Sequence, residues 1–486
     1  MTAPRADSTQ PPLPATKRGK SGAGSPDPAE VVLVKVSPER ILQGAWYRMP
    51  LLGLGCLAGY LRSRGVAVAI VDALFDRLGL EETVAAVTAR APRVVGFTAM
   101  THEVNRAAQV AQEIRRAVPG AQTVIGGPHA TALPRRTLEE CEVFDFAVFG
   151  EGEETLFELV EALRTGAWDF GGVKGLAWRL RGKAGEIVTN ERRPWVEDLD
   201  RLPPPAWDLY GPSDVYQIFA SRGCPYRCIF CMRVLGERVR FRSPRNVVDE
   251  MESVVERYHP RQIDFSDETW TLRHKWVYEV CDEIIGRGLH EKVRWFANGR
   301  VNTVNEDLLR RMREAGCFRI GYGIESGNDE ILEKAQKGTT VKQIEEAVAA
   351  TKRAGLEIEA FYILGFPGET RRTALDTIGL AARLNTTTAA FGIMAPYPGT
   401  KVAEMAARGE GGYRILSRDW SDFDKHLGNA LELDTLSRRE LERLQARAYL
   451  WFYIRNLRLW DLARFLWEKR RAVGKIARKM MGLGRV

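Results

Sequence analysis

Three cysteines, Cys224, Cys228 and Cys231, fall within eight positions of the stretch SRGCPYRCIFC. Thiolates spaced this closely hold soft metals or iron–sulfur clusters. A structural zinc site takes four ligands, and the loop contains no histidine; the nearest, His259, lies 28 residues beyond Cys231. Iron–sulfur clusters also usually take four cysteines, so three would leave one iron of a 4Fe-4S cluster open. An open iron can bind a substrate or a second cofactor, which a pure electron carrier does not need. Arg222, Arg227 and Arg233 make the loop polar, which argues against cysteines that merely pack. Ligand number therefore favours the cluster over zinc and over packing.

The CxxxCxxC spacing, with the aromatic Phe230 just before the last cysteine, resembles the radical S-adenosylmethionine (SAM) superfamily. The resemblance implies a partial barrel in which SAM binds the open iron through its amino and carboxylate groups. Reduction would then cleave SAM to a 5'-deoxyadenosyl radical that abstracts hydrogen from a substrate. It implies further SAM contacts at Asp267 and Glu268 of FSDETW, where the family's second motif meets the amino group, although that motif's glycines are absent here. In GYGIESG it nominates Gly323, Glu325 and Ser326 as the ribose and methionine contact.

These motifs need strand ends to hold them. Segments 215–223, 262–268, 293–301, 318–326, 357–366 and 389–397 read as strands, separated by helical runs such as EDLLRRMREAG and VKQIEEAVAATKRAG that end in glycine. Six such units suggest a partial (β/α)6 barrel with its chemistry at the C-terminal strand ends. GFPGET (365–370) and APYPGT (395–400) close strands five and six; alone, each reads as a tight turn with a helix cap.

Upstream, runs at 31–36, 66–72, 93–100, 122–127 and 144–150 read as buried parallel strands alternating with helices, which is a doubly wound α/β domain. GLGCLAG (53–59) with Asp72 mimics a dinucleotide fingerprint, but the spacing from the first strand and the late third glycine disagree with it. The iron–sulfur domain of methylthiotransferases is ruled out by ligand count, because only Cys56 and Cys141 precede the trio. The order of LGLGCLAGYLRSRGVAVAIVD, VVGFTAM, VIGGPHATALP and FAVFGEGEETLFELVEAL resembles the cobalamin-binding domain attached to many radical SAM proteins. That resemblance implies a corrinoid held near Thr98, Met100, Gly126 and Gly127. An Asp-x-His-x-x-Gly loop is absent after the first strand, so that loop gives cobalt no histidine; His102 and His129 are expected as polar rim residues. An empty domain capping the barrel is the bland alternative.

The domains expected are a disordered tail (1–28), a Rossmann-like cobalamin-binding domain (29–170), a hairpin and proline-rich linker (171–213), the partial barrel (214–405) and a helical basic extension (406–486). The tail holds six of the 23 prolines, and its Gly19, Lys20 and Ser21 lack the earlier glycine of a phosphate loop. The formal charge of +8 is concentrated at the C-terminus: residues 464–486 hold eight Lys or Arg against one Glu, which is +7. Nucleic acid is therefore not an expected partner. YLWFYIRNLRLWDLARFLWEKRR reads as one aromatic helix with Arg455, Arg458, Asp461 and Arg464 as a polar stripe, lidding the barrel; a sharper reading rests it on an acidic membrane surface. Seven scattered cysteines, no secretory signal and no apolar run long enough to span a bilayer point to a cytoplasmic protein, with peripheral contact at the inner membrane surface the sharper variant.

Together these readings describe a cobalamin-dependent radical SAM enzyme with 4Fe-4S, SAM and cobalamin as cofactors. Family resemblance makes it a methyltransferase acting at an unactivated carbon of a small-molecule or lipid-like substrate, fed by a reductant such as flavodoxin or ferredoxin. Oxidative cyclisation or rearrangement is the second reading, and a non-catalytic electron carrier is the reading from another class.

Overall fold

The computed structural model describes residues 27–37, 49–166, 168–180, 185–425 and 429–468. The N-terminal tail through residue 26, with Gly19 to Ser21, lies outside them, as do the basic residues from 469 onward and most of the loop after the first strand.

β1 (Val31–Lys35), β2 (Val68–Asp72), β3 (Val94–Thr98), β4 (Gln122–Gly126) and β5 (Phe146–Val148) form a parallel sheet in the order 2-1-3-4-5. β1 is buried along its whole length, as a strand covered by helices on both faces must be. The hairpin of β6 (Leu176–Arg179) and β7 (Ile187–Thr189) extends this sheet antiparallel beyond β5, so it belongs with the first domain rather than with the connector. The proline-rich connector crosses the helix Leu52–Ser63 closely enough to explain its glycines. A Cβ on Gly59 would collide with the Pro204 carbonyl, and one on Gly55 would come within 3.1 Å of Pro205 and Trp207. Ala206 N–H donates to the Gly55 carbonyl at 2.9 Å. GLGCLAG is thus a helix packed against a proline ribbon, which removes the dinucleotide reading.

The second sheet is made of β8 (Val215–Ile218), β11 (Gln262–Phe265), β12 (Arg294–Gly299), β13 (Cys317–Glu325), β14 (Glu357–Leu364) and β15 (Thr388–Ile393), all parallel and paired in that order. β8 and β15 do not pair, so the barrel is open. The run expected as one strand at 215–223 breaks after Ile218, and β9 (Ser221–Arg222) turns away to pair antiparallel with β10 (Arg240–Phe241). Helices between barrel strands start on side-chain caps at Ser243, Asn305, Thr340 and Thr370, and the helix after β15 starts on Thr400, each accepting a hydrogen bond from an amide in the first turn; the helix His274–Gly286 has no such cap. Trp270, Trp295, Tyr322, Tyr362 and Phe265 are buried in the layer between the sheet and its helices.

The C-terminal extension is not purely helical: β16 (Tyr413–Ile415) and β17 (Leu431–Leu433) form a hairpin before two helices, Arg438–Ile454 and Leu459–Glu468. The single aromatic helix read from the sequence is broken at Leu457, whose φ is +54°. Nor does Arg458 lie on an open polar stripe, since its guanidinium donates to the Thr386 and Thr387 carbonyls at 2.9 Å. The first helix runs along the edge of β15, where Gln445 donates to the Phe391 carbonyl and the Tyr449 hydroxyl accepts from the Phe391 amide. It lies along the barrel's open flank, satisfying edge groups that would otherwise pair with another chain.

Candidate functional site

The cysteine loop leaves the end of β8 and is held by its neighbours. Asp267, just past β11, accepts from the Ala220 amide and the Ser221 hydroxyl. Burial pushes its carboxyl up to about 7. Asp267 thereby braces the strand from which the loop departs, while the adjacent Glu268 stays exposed. Gly223 sits at φ +99° against the Arg238 carbonyl, where a Cβ would collide. Further amide bonds run from Cys224 to Gly236 O, Ile229 to Ala335 O, Cys231 to Cys228 O and Val402 to Ile229 O, each at 3.1 Å. The loop is therefore tied to the segments following β13 and β15.

The sulfurs share one polar neighbourhood. Cys224 Sγ lies 3.9 Å from Thr269 Oγ1, and Arg300, just past β12, places Nη1 3.7 Å from Cys228 Sγ. Cys228 is buried and Cys231 exposed, and a thiol at either position must release its proton to bind metal. Among the described residues no three His, Cys, Asp or Glu side chains converge to hold a single metal ion.

At the end of β13, Glu325 has φ +66°, a left-handed conformation that a non-glycine residue adopts only where its surroundings enforce it. Its carboxylate accepts from Lys337 Nζ at 2.9 Å, and both side chains are buried. A Cβ at Gly323 would collide with that carboxylate and come within 2.8 Å of Nζ, so the glycine makes room for the pair. The Phe230 ring lies 5.8 Å from the same ammonium and edge-on to Phe366. Ser326 is wholly buried, with its hydroxyl engaged by Thr377 and the Asn328 amide, and so shapes the turn after β13. Glu369 of GFPGET is also buried. One carboxylate oxygen accepts from the Gly365 and Phe366 amides, the other has no partner, and burial pushes the carboxyl up to about 7.

On the first sheet, Thr98, Met100, Gly126 and Gly127 gather at the ends of β3 and β4. Gly127 has φ +92°, and a Cβ there would lie 2.8 Å from Thr98 Oγ1 and 3.0 Å from the Ala99 amide. Ala99 N–H donates to the Gly126 carbonyl at 3.1 Å. Met100 is 44% exposed. Its amide donates to Glu103, whose carboxylate also pairs with the buried Lys35 beneath the rim. The paired glycines leave backbone open between the Thr98 and Met100 side chains, a cradle suited to a flat ligand over the sheet edge. His102 stays at the rim, but His129 does not. It is buried edge-on to Trp420, and desolvation holds it neutral, lowering its pKa to about 4.

Charged residues join the two strand-end faces. Arg222 and Arg240 lie directly opposite each other on β9 and β10, where like charges repel. Glu151, past β5, accepts from both guanidiniums at 2.9–3.0 Å, and Glu153 accepts from Arg222 at 2.7 Å. All four are buried. On the other flank, the turn at Asp419–Phe423 reaches the first domain: Trp420 Nε1 donates to Glu140, Arg136 lies 4.8 Å over the indole, and Asn105 donates to Asp419 at 2.8 Å. Sequence reasoning assigned no role to Glu151, Glu153, Arg240, Arg300, Lys337, Glu369 or Trp420. The signal available for the first two was the acidic GEGEE run directly after an apolar strand.

The B12 binding domain family model matches residues 44–160, and the Radical SAM superfamily model matches 218–381. An uncharacterized methyltransferase of Pyrococcus horikoshii is 35% identical over 84% of this chain and 88% of its own. The anaerobic magnesium-protoporphyrin IX monomethyl ester cyclase of Rubrivivax gelatinosus is 32% identical over 74% of this chain and 66% of its own. In fold, the chain is similar to the radical SAM methyltransferase TsrM of Kitasatospora setae, solved with cobalamin and a 4Fe-4S cluster bound. The TM-score is 0.67 at 19% identity, covering 88% of this chain and 89% of that one. It is also similar to the cobalamin-dependent SAM radical enzyme OxsB, with a TM-score of 0.71 at 16% identity, covering 87% of this chain and 66% of the other.

Proposed function

Because this chain belongs to the radical SAM superfamily, in the branch that carries a B12-binding domain, we propose that its reaction is the methylation of an unactivated carbon in a small-molecule or lipid-like substrate. The cofactors of that branch are a 4Fe-4S cluster, SAM and cobalamin. When bound, they supply the hydrogen-abstracting radical and the methyl group. Cys224, Cys228 and Cys231 would hold the cluster. The buried Glu325–Lys337 pair beside Phe230 offers both charges to the amino-acid end of SAM, with Glu268 as a further candidate. Thr98, Met100, Gly126 and Gly127 would receive the corrin.

The observation that carries this reading is the ion cluster of Arg222, Arg240, Glu151 and Glu153. It ties the cysteine loop to the loop after β5, which supports a reading in which the two cofactors meet between these loops. The chain's own part is positional: it orients both groups and keeps water from the space between them. Likeness to the 35%-identical methyltransferase over 88% of that protein favours methyl transfer. The 32%-identical cyclase supports oxidative cyclisation as the second reading.

Anaerobic reconstitution with iron, sulfide and hydroxocobalamin tests the cofactor set, with about four iron and about one cobalt per chain expected to survive gel filtration. Incubation with SAM and a low-potential reductant should then release 5'-deoxyadenosine. S-adenosylhomocysteine alongside it supports methyl transfer, and its absence favours cyclisation or rearrangement. Cys228→Ala should abolish SAM cleavage, and retained cleavage would refute the cluster assignment.

No helix among the described residues is long and apolar enough to cross a membrane. We propose separately that the last two helices rest on an acidic lipid surface, supported by Leu457 at 87% and Trp460 at 83% exposure just before the basic C-terminus. Equal sedimentation with anionic and neutral vesicles would remove that proposal.

A further inference from the structure

Arg300 is buried at the barrel mouth, and among the described residues no carboxylate pairs with it. Nε donates to Asn302 Oδ1 at 2.9 Å, and Nη1 points at Cys228 Sγ, 3.7 Å away. The guanidinium carbon stacks 3.8 Å from the centre of the Tyr226 ring, inside the cysteine loop itself. Nη2 is buried without any hydrogen-bond partner. Beside it stands Gly338, where even a Cβ would approach Nη2 to 3.5 Å. None of these neighbours is a carboxylate. The nearby buried pair, Glu325 and Lys337, is balanced within itself.

Burying a cation without a counter-charge costs several kcal/mol, and such groups are kept where an anion completes them. The anion this geometry offers is the sulfur of the cysteine loop. Protonated thiols are neutral, but thiolates that ligate a cluster are not, and each electron added to the cluster makes the assembly one unit more negative. A fixed cation with an N–H directed at a ligating sulfur therefore stabilises the reduced cluster more than the oxidised one.

We propose that Arg300 is the buried counter-ion of the cysteine loop, donating to the Cys228 sulfur and raising the reduction potential of the cluster held there. Tyr226 keeps the guanidinium flat against the loop, and the unpartnered Nη2 is free to donate to the cluster. The step it assists is a one-electron reduction by a low-potential donor, with no bond made or broken on Arg300. This inference rests on the cluster reading of the three cysteines.

The test is an EPR-monitored redox titration of the full chain reconstituted with iron and sulfide alone, in the absence of SAM and cobalamin. Arg300→Met should make reduction about tenfold less favourable, about 59 mV more negative. Arg300→Lys, which keeps the charge, should recover most of the shift. If Arg300→Met holds no iron, Arg300→Gln takes its place, retaining an N–H donor without the charge, and the same direction is expected. An unchanged potential at equal iron content would overturn the proposal. So would Arg300→Lys shifting as far as Arg300→Met, since the effect would then follow shape and not charge. Failure of the wild-type chain to assemble a cluster would instead refute the cluster reading, and this inference with it.

Discussion

Two backbone positions with positive φ carry separate parts of the site. At Gly127 (φ +92°), the side chain of any other residue would be driven against Thr98 and Ala99. Gly127→Ala should cost about 1–2 kcal/mol in backbone strain and close the cradle. The expected outcome after reconstitution is loss of cobalt with iron retained, read by metal analysis of the gel-filtered protein. Glu325 (φ +66°) keeps its strained backbone beside a buried ion pair with Lys337. Lys337→Met leaves that carboxylate buried and alone, which should destabilise the apo protein by about 3–5 kcal/mol in urea unfolding. The double variant Glu325→Gln with Lys337→Met should recover much of the loss, because no lone charge remains. Equal losses in both would mean the pair is not the source.

At the scale of elements, the β9–β10 hairpin has two opposed arginines that only the carboxylates after β5 make tolerable. Glu151→Gln removes the charge that faces both guanidiniums. Loss of about 3 kcal/mol is expected, together with an unfolding transition that splits into two as the barrel and the first domain uncouple. Non-coincident far-UV circular dichroism and tryptophan fluorescence curves would reveal the split. A single coincident transition would show that the turn at Asp419–Phe423 holds the domains together without the ion cluster. The elements themselves were largely legible. Their apolar runs and glycine stops placed every strand of both parallel sheets, because a strand buried on both faces has few other ways to read. The break at Ile218 and the break at Leu457 were not legible, since each depends on partners far away in sequence: Asp267 and Arg240 for one, the Thr386 and Thr387 carbonyls for the other.

For the whole molecule, His129 and Trp420 join segments almost three hundred residues apart. Burial lowers the His129 pKa to about 4, below the ordinary value near 6.5. The unfolded chain therefore binds the proton more readily between those two values. The stability His129 contributes is complete above about pH 6.5 and is lost as the pH falls through 4, with a total near 3 kcal/mol. The raised carboxyls of Asp267 and Glu369 act in the opposite sense, losing stability as the pH rises toward 7, so the comparison must be with a variant. Urea midpoints at pH 7.5 and pH 4.5 should fall less on acidification in His129→Phe than in wild type. Parallel falls would place the acid sensitivity elsewhere.

The sequence by itself determined the family: the cysteine spacing and the order of the strand-end motifs resemble both halves, and the family models match both. Local pattern suffices there because ligand number and periodicity are properties of short stretches. Tertiary structure alone decided what each nominated residue touches. Asp267 and Ser326 sit in the right motifs but turn inward to amides and hydroxyls, while Arg300 and Lys337, in no motif singled out from the sequence, stand at the cysteine loop. The direction of a side chain is set by what packs against it from other strands, and no spacing along the chain records that.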